Sequence, residues 1–204
     1  VGEAAFQIPE SAATALKATI QAVTPSVKST SLIAIQAARE TLADALDTFR
    51  NSELNAPEEG ELFNIISSGD GTYSNRFVTM TGNSSYYYNN LLGPSDHLAQ
   101  TFMPEAQDTP NHYKFSTLID GNEAYLDNHY NYTPTENTSY LITPTETNGE
   151  YNLLYFRNGT PEAYFNPGYG FNTNSIHYQI APARKATIDL NVTEPGWATL
   201  MLPF

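Results

Sequence analysis

Four histidines, His97, His112, His129 and His177, are the side chains best suited to acid–base or metal chemistry near neutral pH. No two stand in an H-x-x-x-H or H-E-x-x-H spacing, so the helix of a zinc hydrolase is not encoded. The chain has no cysteine, which removes disulfides, thiolate nucleophiles and zinc–thiolate sites together. It also lacks a G-x-S-x-G elbow, a phosphate-binding glycine loop and a dinucleotide fingerprint. Gly69-Asp70-Gly71 reads as a turn, because Asp70 is not followed by the alternating acidic or amide ligands of a calcium loop. Glu58, Glu59 and Glu61 lie in or beside a stretch without periodicity, where solvated charge is the reading. The expectation is a protein that is not an enzyme, with no catalytic residue, no cofactor and no metal.

Binding chemistry is better represented. Saccharides are held by aromatic faces against their C–H groups and by Asn or Asp side chains that pair with their hydroxyls. Two loops carry that mixture. One is Asp127-Asn128-His129-Tyr130-Asn131-Tyr132, and the other is Asn166-Pro167-Gly168-Tyr169-Gly170-Phe171-Asn172. Asp127, Asn128, Tyr130, Asn131, Tyr169 and Asn172 are therefore candidate ligand-binding residues. Tyr86-Tyr87-Tyr88-Asn89-Asn90 is a third segment of the same kind. Ordinary turns and aromatic cores use the same residue types.

Charge narrows the partners. A net charge of −13 repels phosphate backbones and anionic lipid, so no nucleic acid is expected. Only 15 % of residues are charged, and Asn, Thr, Ser and Tyr take their place. No stretch approaches the ~20 apolar residues of a membrane span, so no membrane insertion is expected. Val1-Gly2-Glu3 opens no signal peptide and the first residue is not Met, so the expectation is a trimmed or cloned segment.

The elements that position these residues fall into two textures. Leu16, Ile20 and Val23 lie three and four apart and predict one amphipathic helix after Pro9-Glu10, stopped at Thr24-Pro25. Ser29, Thr30 and Ser31 offer N-caps for a second helix. Leu32, Ile35, Leu42, Leu46 and Phe49 line one face of it, with Arg50 in its last turn. Residues 51–60 read as a linker. Beyond them, short runs of Tyr, Phe, Ile, Leu and Val alternate with Asn, Gly, Pro, Asp and Thr clusters, the pattern of many short strands.

Those strands repeat. Openings at Phe63, Tyr113 and Tyr151 are followed by second strands around Phe77, Tyr125 and Tyr164, and by closing strands at Phe102, Tyr140 and Tyr178. The last two openings are 38 residues apart, the tyrosines of the second strands 39, and the closing aromatics 38 and 38. The first opening precedes the second by 50, so the first unit holds about a dozen extra residues, placed near Tyr86–Asn90.

Three such units resemble the β-trefoil, and more closely the ricin-type lectin-like trefoils of secreted bacterial proteins. The helical hairpin, ending in Leu42-Ala43-Asp44-Ala45-Leu46-Asp47-Thr48-Phe49, resembles the FIVAR-like modules of bacterial surface proteins. Residues 186–192 and 197–204 look like the opening of a β-sandwich from surface proteins of Bacteroides-type gut bacteria. Together these imply an α+β multidomain chain: a helical hairpin over 1–52, a linker over 53–60, an all-β β-trefoil of three pseudo-repeats over 61–183, and C-terminal strands over 184–204. The resemblance also implies that pockets lie in turns near the start of each repeat, which adds Asp120. The implied function is a non-catalytic carbohydrate-binding or adhesive module, secreted or on the cell surface, with a polysaccharide or glycan and adjacent domains as partners. The Gln-x-Trp closing signature of ricin-type repeats is approximated only by Gln100-Thr101-Phe102. That departure motivates the alternative, a structural spacer without a ligand.

Overall fold

A computed structural model of the chain describes residues 1–68, 74–83, 86–95, 98–127, 130–131, 138–165 and 176–183. Two helices precede a largely antiparallel sheet, which is the α+β order expected from the sequence. The candidates Asn128, Tyr169 and Asn172, and the C-terminal stretch 184–204, lie outside the described residues.

Helix α1 (Glu10–Val27) and helix α2 (Leu32–Arg50) pack on each other across a four-residue connection, residues 28–31. Ser31 caps α2 by accepting from the Ala34 backbone N–H at 3.4 Å, and Arg50 occupies the last turn. Pro25 does not stop α1, which runs on to Val27. A proline removes one backbone donor, and within the final turn only one intrahelical bond is forfeited. The Thr24 hydroxyl donates to the Ile20 carbonyl at 2.7 Å just before it. The hairpin buries little: α1 has no buried residue and α2 only Ala38. Leu32 and Ile33 are 82 % and 83 % exposed. No helix among the described residues is long and apolar enough to cross a membrane.

Among the described residues eleven strands follow: β1 (Phe63–Ser68), β2 (Phe77–Asn83), β3 (Tyr86–Leu92), β4 (Met103–Ala106), β5 (His112–Ile119), β6 (Asn122–Tyr125), β7 (Tyr130–Asn131), β8 (Thr138–Pro144), β9 (Tyr151–Arg157), β10 (Thr160–Tyr164) and β11 (His177–Pro182). The pairing runs β4-β5-β8-β9-β11-β1, and a bridge between Phe63 and Phe102, just ahead of β4, returns it to its start. Six strands thus form a closed ring. The remaining five pair outside it: β2 on β1, β3 on β2, β7 on β3, β6 on β5 and β10 on β9.

The spacings read from the sequence recur in this pairing. Each closing aromatic lies opposite the opening aromatic of its own unit: Phe102 on Phe63, Tyr140 on Tyr113, and Tyr178 on Tyr151. All six are buried. Alternation does the rest, since successive residues of a strand point to opposite faces. Phe63, Ile65 and Ser67 of β1 are buried, as are Tyr151, Leu153 and Tyr155 of β9. The core is a run of rings: Phe115 to Tyr140 at 6.0 Å, Tyr140 to Phe165 at 5.2 Å, and Phe165 to Tyr178 at 5.6 Å.

The residues before the sheet are tied to it. Phe6 is fully buried and sits edge-on to Phe63 at 5.0 Å and Tyr113 at 5.1 Å. Within the stretch read as linker, Leu54 is buried and its N–H donates to Asn111 Oδ1 at 2.7 Å. Asn111 Nδ2 in turn donates to the Ser52 carbonyl at 3.1 Å. Asn55 Nδ2 donates to the Gly2 and Ala4 carbonyls at 2.8 and 3.1 Å. The chain between α2 and β1 is thereby clamped against both the N-terminal segment and the turn that precedes β5.

Candidate functional site

Among the described residues, the candidate Asp127 stands in a dense polar setting. It follows β6 and is only 3 % exposed. The Tyr155 hydroxyl donates to its Oδ1. Arg157 Nε donates to the same hydroxyl at 3.1 Å, and its Nη2 lies 3.9 Å from Asp127 Oδ1. The guanidinium also stands 3.9 Å from Glu162 and 5.7 Å from the centre of the Tyr155 ring. Strand β9 supplies both partners, with Tyr155 on its buried side and Arg157 at its solvent end. Burial, reinforced by the bond to Asp127, pushes the Tyr155 hydroxyl well above the ordinary tyrosine range. The Arg157 guanidinium is held above its usual value chiefly by its hydrogen bond to Tyr155. Tyr155 therefore stays protonated and donating, and Asp127 is held as an acceptor inside the fold.

Asp120 has a different setting. It is exposed, with φ 50°, and Gly121 follows at φ 78°. These two residues form the whole connection between β5 and β6, and two consecutive positive φ values define the type I′ hairpin turn. Asn158 (φ 50°) and Gly159 (φ 76°) do the same between β9 and β10, 38 residues later. An Asp-Gly or Asn-Gly pair between alternating apolar runs is a strong hairpin signal, and it extends the 38-residue spacing to a position the aromatic pattern does not cover.

Tyr130 and Asn131 form β7, which pairs with β3. The register sets Tyr130 opposite Tyr88 and Asn131 opposite Tyr87. Two of the three Tyr/Asn-rich segments are thus brought side by side as neighbouring strands. Asp120 sits in the turn of the β5–β6 hairpin and Asp127 just beyond its exit.

Gln100, the residue closest to the lectin closing signature, is buried and fully used inside the fold. It donates to Thr79 Oγ1 at 2.9 Å and to the Gly93 carbonyl at 2.8 Å, and its Oε1 accepts from the Ser95 N–H at 2.9 Å. Among the described histidines, His112 lies edge-on to Phe156 at 4.3 Å, and His177 Nδ1 is 3.5 Å from Glu150. Burial lowers the His112 pKa. Among the described residues no group of three His, Asp or Glu side chains could hold a metal ion.

Sequence reasoning singled out Asp127 but missed its partners Tyr155 and Arg157, and the Glu162 carboxylate on the far side of Arg157. An arginine ending an otherwise alternating apolar strand, Tyr151-Asn152-Leu153-Leu154-Tyr155-Phe156-Arg157, is the signal that marks them. No family model, no curated protein and no solved structure matches this chain.

Proposed function

We propose that the chain is a non-catalytic carbohydrate-binding or adhesive module of a secreted or cell-surface bacterial protein, built on a β-trefoil of three repeats behind a helical hairpin. The trefoil reading is supported by the closed six-strand ring and by the three equivalent pairs Phe63–Phe102, Tyr113–Tyr140 and Tyr151–Tyr178. The binding reading is supported by one observation above others: β3 and β7 pair, and the segments they join are Tyr86-Tyr87-Tyr88-Asn89-Asn90 and Tyr130-Asn131. Aromatic and amide groups at such density suit a saccharide, which offers C–H faces and hydroxyls to both. A polysaccharide or glycan is the ligand class, and adjacent domains of a longer chain are the other partners. The test is a glycan array followed by calorimetric titration of the intact chain. Binding that weakens in Tyr130→Ala or Tyr169→Ala supports the reading, and silence across plant, microbial and host glycans refutes it.

The second reading is a spacer that positions other domains. It is favoured by the internal use of Gln100 and Asp127, two residues a lectin site would leave free for sugar. A spacer would bind no glycan and yet fix the distance between its flanking domains, which small-angle scattering of the longer protein would read as one rigid separation.

A further inference from the structure

Two apolar surfaces of this chain are uncovered, and they differ in shape. The first is the tip of the helical hairpin. Leu32 and Ile33, in the first turn of α2, are the most exposed large apolar side chains among the described residues, and Val27 at the end of α1 is exposed beside them. Lys28, also exposed, begins the connection between the helices. The other end of the hairpin faces the sheet, where Phe49 and Arg50 border a groove with Thr143 and Asn152. The 18 residues of α1, at about 1.5 Å of rise each, set the tip about 27 Å from that end. The helices pack chiefly on each other, so the tip is a convex apolar knob with a lysine at its side.

The second surface is a hollow of about 180 Å³ on the outer face of the sheet. Strand alternation builds it. Ser116 and Leu118 of β5 share that face, Met103 of β4 lies opposite Ser116, and Glu123 of β6 lies opposite Leu118. Leu62, just ahead of β1, and Leu98, in a short 3₁₀ turn, complete the wall. Leu62, Leu98, Met103 and Leu118 are between 37 % and 47 % exposed, and such a gathering of exposed apolar side chains with a polar rim marks a contact surface. The Thr117 hydroxyl donates to the Leu98 carbonyl at 2.8 Å, so it is not offered to a polar ligand. The hollow is smaller than the about 300–1,000 Å³ of small-molecule sites, and it suits one or two aliphatic side chains of a macromolecule.

Charge says which macromolecule. Glu123 stands at the rim of the hollow and Lys28 beside the knob, and neither has an ion-pair partner among the described residues. Copies of a chain with net charge −13 repel one another unless a basic group is brought to the contact, and the knob brings one. The chain thus carries both halves of one contact: a convex apolar tip with a cation, and a concave apolar hollow with a carboxylate.

We propose that the hairpin tip of one copy docks in the hollow of a second copy, with Leu32 and Ile33 entering between Leu98 and Leu118 and Lys28 pairing with Glu123. The contact joins two different surfaces, so it repeats head to tail into a filament or a ring of copies. It stands independently of the carbohydrate reading. A few side chains on each partner bury less than the about 1,200–2,000 Å² of a stable interface, so the association is weak and grows with concentration.

Sedimentation velocity of the intact chain over a range of concentrations tests it. The sedimentation coefficient should rise with concentration. Leu32→Ser with Ile33→Ser, or Leu98→Ser with Leu118→Ser, should weaken association at least about tenfold without changing the circular dichroism spectrum, since all four side chains are exposed. The tip variant keeps a working hollow and the hollow variant a working tip, so their mixture should form one-to-one dimers and nothing larger. Lys28→Glu should weaken association, and Lys28→Glu combined with Glu123→Lys should restore it. A chain that stays monomeric at every concentration overturns the proposal. Association that survives either pair of serine substitutions, a mixture that forms no dimer, or a charge-swapped chain no better than Lys28→Glu alone overturns it equally. Should the hollow variant fail to fold, the charge swap, made on two exposed side chains, decides alone.

Discussion

Phe6 carries the sharpest test of how the N-terminal segment and the sheet are joined. Its ring is fully buried between Phe63 and Tyr113, the opening aromatics of two units. Its backbone has φ 62°, a conformation that costs a bulky L-residue about 1–2 kcal/mol. The Phe6 N–H donates to the Asn55 carbonyl at 2.8 Å, and the Asn55 N–H to the Gln7 carbonyl at 2.9 Å, so the strained residue is held from both sides. Burial must outweigh the strain. Truncating a buried Phe to Ala costs about 3–5 kcal/mol, a figure that already includes its edge-to-face contacts. Phe6→Ala keeps a Cβ, so it loses the ring without relieving the strain, and the full 3–5 kcal/mol is expected. Phe6→Gly loses the same ring but relieves the left-handed backbone, and should come out about 1 kcal/mol better than the alanine variant. Glycine outperforming alanine reverses the usual order. Urea unfolding followed by far-ultraviolet circular dichroism measures both variants. A loss below about 1 kcal/mol for Phe6→Ala, or a glycine variant less stable than the alanine one, refutes the anchoring of the sheet by the Phe6 ring.

The turns, the core and the ring closure give further tests. Gly121→Ala and Gly159→Ala place a Cβ at φ 78° and 76° in otherwise open space, so each should cost about 1–2 kcal/mol by backbone strain alone in urea unfolding. Tyr140→Phe deletes a buried hydroxyl with no partner and should be neutral or stabilising by about 1–2 kcal/mol, read as a higher urea midpoint. The Phe63 and Phe102 amides each donate to the other's carbonyl at 2.8 Å, and in hydrogen exchange they should be as slow as the Tyr113 and Tyr140 amides; fast exchange at the pair would mean an open ring. Burial holds the His112 pKa below its usual 6.5, so the folded state binds fewer protons there than the unfolded chain. That stability is complete above pH 6.5 and is lost as pH falls through 6.5 toward the folded value, and His112→Leu should flatten the fall in urea midpoint between pH 7 and 5.

The parts of the fold legible in the sequence are those set by periodicity. Leu16, Ile20 and Val23 repeat at helical spacing, Ser31 offers a cap, and both helices form where these signals stand. The spacing of Phe102, Tyr140 and Tyr178 became a statement about pairing, because each faces the aromatic that opens its own unit. Local signals in competition with tertiary structure were less readable. Pro25 is a helix breaker by type, yet its place in the last turn of α1 forfeits little. Residues 51–60 lack periodicity, yet Leu54 and Asn55 are held by Asn111, Gln7 and the N-terminal carbonyls, partners distant in sequence. The site was legible only as composition. Asp120 and Asp127 look alike as acidic residues near Tyr-rich strands. One shapes a two-residue turn and the other is bonded to a tyrosine 28 positions away, a difference that depends on the path of the chain.

Hydrogen-bond satisfaction separates the polar residues that build this fold from those available to a ligand. Gln100 and Asp127 have the chemistry of a sugar site, and the fold already engages them through Thr79, Gly93, Ser95 and Tyr155. Their mutation should report on stability more than on binding. The informative atoms are the buried ones without partners among the described residues: Ser68 Oγ, His112 Nε2, Tyr140 Oη and Asn152 Oδ1. Tyr140 is enclosed by Phe115, Tyr155 and Phe165, with no path for a ligand to reach its hydroxyl. His112 lies edge-on to Phe156, and its burial favours the neutral imidazole. Ser68 ends β1 on the sheet itself. Asn152 lines an open groove, yet its Oδ1 is as shielded from solvent as the other three atoms, so a hydroxyl the size of a water does not reach it either. Unsatisfied atoms of this kind mark positions where an apolar substitution should stabilise the fold, whereas a ligand needs polar groups that are both unengaged and exposed.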